Sequence, residues 1–92
     1  MIEVEGNINN QTIAILIDSR AIHSYINPKM VEIFHFPRRK LEKSWLVQLF
    51  IGTKRKINDM VKACPMEING LHTNVYLNIM PLGSYDCLIG MY

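Results

Sequence analysis

Apolar and polar residues alternate along this chain in short runs that end at turn-forming residues. Ile2 to Ile8 alternates imperfectly, Asn9-Asn10 supplies residues that tolerate positive φ, and Thr12 to Ile17 is almost continuously apolar and rich in β-branched side chains. The pattern predicts a β-hairpin whose second strand is buried on both faces. That run is too short to cross a bilayer. Beyond Asp18 the period changes. Ser24 or Asn27-Pro28 can start a helix, and Ile26, Met30, Val31 and Phe34 share an apolar side, which predicts a short helix over Pro28 to Ile33. Pro37-Arg38-Arg39-Lys40 ends it and reads as a solvated loop, with a phosphate-binding patch as the functional alternative.

A second β-like run from Trp45 to Ile51 is followed by Gly52-Thr53-Lys54-Arg55-Lys56 and then Ile57, a hairpin with a polar, basic tip. Val61 to Ile68 passes through Asn69-Gly70, the strongest short hairpin signal in the chain, into Thr73 to Met80. Pro81-Leu82-Gly83-Ser84 reads as a turn, and Tyr85 to Gly90 as a last short apolar strand. Six or seven strands and one helix predict a mainly β fold, a small barrel or sandwich. The echo of Ile8-Asn9-Asn10 in Ile68-Asn69-Gly70 fits two similar halves.

Composition narrows the function classes more than it names one. With 92 residues, 49% hydrophobic, the chain suits one small domain with a modest core, the kind that gains stability by associating. A net charge of +2, from 10 basic and 8 acidic residues spread along the chain, gives no like-charge block of the kind that marks nucleic-acid binding. The basic run Lys54-Arg55-Lys56 is the one feature that points that way, and it lacks an evident stacking platform. Cys64 and Cys87 lie too far apart for a C-x-x-C site, and His23, His35 and His72 are scattered, so no metal and no cofactor is expected. Glu3 and Glu5 near the start do not fit a signal peptide, which makes an intracellular, cytoplasmic location the default. Asn10-Gln11-Thr12 matches a glycosylation pattern, which without secretion means only a polar turn.

The candidate chemistry is at Asp18, where the apolar run stops at Asp18-Ser19-Arg20-Ala21. Two readings stand side by side: a carboxylate delivered by a buried strand for acid-base work, or a turn residue bonding its own backbone. Leu16-Ile17-Asp18-Ser19-Arg20-Ala21, with His23-Ser24-Tyr25-Ile26 after it and Asp86-Cys87-Leu88-Ile89-Gly90 near the end, resembles the retropepsin-like aspartic protease domain of gypsy-type LTR retrotransposons. Trp45-Leu46-Val47-Gln48-Leu49 between them adds to the likeness, which covers nearly the whole chain.

The resemblance implies a closed acid-protease barrel over residues 1–92 and an aspartic endopeptidase of a retrotransposon polyprotein. It implies an active site that forms only when two copies pair, so that Asp18 meets its own copy on a two-fold axis and the two carboxylates share a proton. Ser19 matches the hydroxyl that braces the paired loops, Ala21 completes the active-site loop, and Phe50, Ile51, Gly52 and Thr53 fall on the flap that covers a bound peptide. Leu88-Ile89-Gly90 matches the buried support of the catalytic loop, and Asp86 falls in that structural segment.

Two departures qualify the expectation. Arg20 stands where the family has glycine, which takes away backbone freedom and sets a cation beside a carboxylate pair that works by holding one proton. Ile22 also replaces a common threonine. The chain ends at Met91-Tyr92, before the family's C-terminal helix and final strand, and weakened pairing is expected from that. The alternative is an inactive retropepsin-like remnant acting as a peptide-binding or self-association module.

Overall fold

Two asparagine turns set the register of the sheet. Asn9 and Asn10 have φ of 49° and 64°, and Asn69 and Gly70 have φ of 51° and 78°, the left-handed pair that a two-residue hairpin needs to match the twist of its strands. The first turn joins β1 (Ile2–Ile8) to β2 (Gln11–Asp18), paired from Ile2↔Ile17 to Ile8↔Gln11. The second joins β5 (Lys54–Ile68) to β6 (Leu71–Ile79). This computed structural model describes residues 1–49 and 54–90.

The hairpins meet edge to edge at Gly6↔Ile68 and Asn7↔Glu67. Gly6 is required there, because a Cβ would run into the Ile15 side chain and lie 2.8 Å from the Glu67 carbonyl oxygen. Between the hairpins on the other side stand β7 (Cys87–Gly90), parallel to β2, and β3 (Ser24–Ile26), parallel to β6 and antiparallel to β7. The order β1-β2-β7-β3-β6-β5 closes back on β1, giving a six-strand barrel with β4 (Arg39–Gln48) hydrogen-bonded to β5 outside the ring. Ile8, Ile13, Ile15, Ile26, Val61, Cys64, Leu77 and Cys87 fill its interior. The helix α1 (Pro28–Phe34) packs Val31 onto that core.

Several expectations need correction. Arg39 and Lys40 are not loop but the first residues of β4, paired with Met60 and Asp59, since an outer strand tolerates exposed cations. Lys54-Arg55-Lys56 is likewise strand rather than tip, opposite Gln48, Val47 and Leu46 in that order. Of the two possible helix starts, Ser24 begins a strand, while Asn27-Pro28 holds: Asn27 is the cap, its side chain accepting from the Lys29 amide at 3.2 Å, and Pro28 is the first helical residue. The helix runs to Phe34 and stops at His35, left-handed at φ 56°. The stretches around Ile57 and Val61 to Ile68 form one strand of 15 residues, bulged between Val61 and Cys64, with Ala63 at φ 52°.

Candidate active site

Asp18 is the last residue of β2 and is only 3% exposed, so the strand delivers a carboxylate to the barrel surface while keeping it shielded. Parallel pairing puts Asp18 opposite Gly90, and β3 returns on the other side of β7, so the segment between Asp18 and Ser24 arches over the end of β7. Gly90 lets the arch sit down. A Cβ at Gly90 would lie 2.5 Å from the Ala21 carbonyl oxygen and 2.6 Å from that of His23. The Gly90 amide also donates to Ser24 Oγ at 3.1 Å.

Within the arch, Asp18 Oδ1 accepts from the Arg20 amide at 2.9 Å, and the Asp18 carbonyl accepts from the Ala21 amide at 3.1 Å. The turn role that Asp-Ser pairs often play is therefore present, and it fixes the orientation of the carboxylate. Arg20 Nε approaches the same Oδ1 at 3.9 Å with its side chain 61% exposed, an ion pair that water screens heavily. Arg20 does not have positive φ, so in this arch the missing glycine brings no left-handed strain; what remains of the objection is the cation. Ser19 and Ile22 are exposed, and Ala21 is half-buried against a second apolar cluster with Leu16, Tyr25 and Leu88.

The second cluster links the arch to the outer hairpin. Trp45, Val47 and Leu49 from the β4 side and Ile57 from β5 pack into it, and the Trp45 ring meets that of His23 at 4.9 Å in an edge-on contact. Nothing local to His23 pointed to this contact, because it joins two segments through the tertiary fold. The expected flap residues Phe50, Ile51, Gly52 and Thr53 lie outside the described residues.

Asp86 does not join Asp18. Its Oδ2 accepts from the Ala14 amide at 2.8 Å and its own amide donates to the Ala14 carbonyl at 3.0 Å. Ala14 is four strand residues from Asp18, about 13 Å along β2. The three histidines also stay apart: His23 on Trp45, His35 at the end of α1, and His72 at 3.9 Å from Glu67. A cleft of about 280 Å³ between the first asparagine turn and strands β5 and β6, lined by Asn7, Asn10, Glu67 and His72 among others, is remote from Asp18.

A closed β-barrel that presents a shielded aspartate on a glycine-supported arch defines a retropepsin-like fold. The chain belongs to the retroviral aspartyl protease family, whose pattern matches residues 1–92. Proteases of this family act as dimers on peptide substrates. Among solved structures the chain is similar to the retroviral protease-like domain of Ddi1 from Leishmania major, with 20% identity and a TM-score of 0.68 over 99% of this chain and 72% of that one. At that identity the likeness speaks for the shared fold. A search of curated proteins found no match. No helix among the described residues is long and apolar enough to cross a membrane.

Proposed function

We propose that this retroviral-type aspartyl protease domain is an endopeptidase whose catalytic centre is Asp18 paired with Asp18 of a second copy. The observation that carries this reading is the placement of Asp18: 3% exposed, at the end of a barrel strand, oriented by the Arg20 amide, with Ser19 and Ile22 exposed on the same arch. Two-fold pairing through that arch brings each aspartate to its own copy. One carboxylate, ionised, takes a proton from the attacking water, and the other, protonated, donates to the carbonyl oxygen of the scissile bond. Ser19 braces the paired arches, and Phe50, Ile51, Gly52 and Thr53 cover an extended peptide. The gypsy-type resemblance supports a retrotransposon polyprotein as the substrate.

Arg20 weakens this activity in our reading, since a guanidinium beside Asp18 opposes the shared proton. The same contact favours a second reading, an inactive fold kept for peptide binding or self-association. Peptide cleavage at acidic pH, followed over a range of protein concentrations, separates the two. The expected result is slow cleavage whose specific rate rises with concentration, abolished by Asp18→Asn and raised up to about five-fold by Arg20→Gly. Cleavage that survives Asp18→Asn refutes the catalytic assignment. No cleavage by either the unmodified chain or Arg20→Gly selects the second reading.

A further inference from the structure

The fold gathers charge that looks dispersed in the sequence. Eight of the ten basic residues lie between residues 38 and 62, against only Glu42 and Asp59, so this stretch carries +6 while the rest of the chain carries −4. That stretch contains β4 and most of β5, the two strands of the outer hairpin. Side chains alternate across a strand, and on β5 the odd positions Ile57 and Val61 are buried while Lys54, Lys56, Asn58 and Lys62 are exposed on the even side. Directly paired residues share a face, so Arg39, paired with Met60, fills the gap between Lys56 and Lys62. Leu46 and Gln48, paired with Lys56 and Lys54, widen the same face.

The result is a row of four exposed cations, Lys54, Lys56, Arg39 and Lys62, spanning about 26 Å of strand. None of the four makes an ion pair with a carboxylate among the described residues; the hairpin's Asp59 is taken by Arg38 at 4.0 Å. At the end of the row, opposite the bulge at Lys62, Tyr76 of β6 projects with 54% of its surface exposed, and Leu46 nearer the other end is 64% exposed. Exposed cations along a sheet face with a flat ring at one end of the row match what a flexible, base-bearing polyanion uses: phosphates along the row and a base on the ring. An acidic peptide would use the lysines but has no need of the ring.

We propose that this outer face of β4, β5 and β6 binds single-stranded nucleic acid, through Lys54, Lys56, Arg39 and Lys62 to phosphates and Tyr76 to a base. The site is separate from Asp18, whose arch contacts the opposite side of the hairpin through Trp45. The test is fluorescence anisotropy with labelled single-stranded DNA and RNA 12-mers on the unmodified chain, Lys54→Gln/Lys56→Gln/Lys62→Gln and Tyr76→Ala, with circular dichroism to confirm folding. Binding is expected to weaken with salt at a log-log slope of about −2 to −3, as three or four phosphate contacts require. The triple variant should lose at least ten-fold in affinity and most of that slope. Tyr76→Ala should lose about five-fold while keeping it. No binding at low salt by the folded chain overturns the proposal. So does equal displacement by a poly-glutamate peptide of the same charge, which assigns the face to an acidic protein partner, and so does an affinity for duplex DNA as high as for single strands together with a silent Tyr76→Ala.

Discussion

At the scale of single residues, the arch around Asp18 depends as much on a missing side chain as on the carboxylate it holds. The strand end at Asp18 was legible in the sequence because the apolar run stops there; which of its two readings holds was not, since a turn carboxylate and a reactive one share that pattern. Gly90 was legible only through a resemblance, since nothing local reveals which backbone will press against it. The structure supplies the cause in the Ala21 and His23 carbonyl oxygens that fill the space of a Cβ. Both obstacles are backbone, so neither can swing aside as the end of a flexible side chain would. Gly90→Ala is therefore expected to destabilise by about 2 kcal/mol through overpacking, which in a domain this small lowers the melting temperature by roughly 10 °C. Thermal denaturation followed by circular dichroism measures it, and a change within a degree or two would mean that the arch moves aside freely.

At the scale of elements, what the sequence showed and what it hid divide by distance along the chain. The two hairpins were readable because their turns are local and asparagine tolerates the φ they need. The start of the helix was readable within a residue or two, since Asn27-Pro28 carries both its cap and its first-turn proline. β3 was missed because three residues carry no measurable period, and its pairing with β6 and β7 is entirely non-local. Arg39 and Lys40 were misread because their charge argues for water, and an outer strand supplies water and a ladder at once. Asp86 belongs to the hidden class as well. It clips the segment before β7 to β2 through both its amide and its carboxylate, while its carbonyl takes the Asn27 amide at 2.9 Å, so one residue ties β2, α1 and β7 together. Asp86→Ala leaves the half-buried Ala14 amide without its side-chain acceptor and should cost about 1–3 kcal/mol. Asp86→Asn, which keeps an acceptor, should cost less. Urea unfolding of the two variants tests the order, and equal stabilities would show that the carboxylate carries no structural role.

At the scale of the whole molecule, the barrel's interior makes stability depend on alkaline pH. Cys64 and Cys87 are both free and buried in the same core, on walls formed by β5 and β7. Burial away from water penalises a thiolate, which pushes the Cys64 thiol up to about 11 from an ordinary value of 9.0. Cys87 is pushed up further in the same direction, first by burial and then by the nearby Cys64 and Asp86. A thiol whose folded value lies above its unfolded one ionises first in the unfolded chain, so the unfolded chain binds fewer protons and stability falls as pH rises. The contribution is intact below about pH 9 and is lost as pH climbs through about 11. Neither thiol should react with a thiol reagent at pH 8 while the barrel is folded, and both should react once it is unfolded in urea. Urea midpoints taken at pH 7, 9 and 11 are expected to drop over the upper interval, and Cys64→Val should shrink that drop by removing one of the two groups while conserving apolar volume. A midpoint that falls equally in the unmodified chain and in Cys64→Val would assign the alkaline loss to other groups, and rapid thiol reaction at pH 8 would show that the barrel opens far more readily than its closed ring of strands implies.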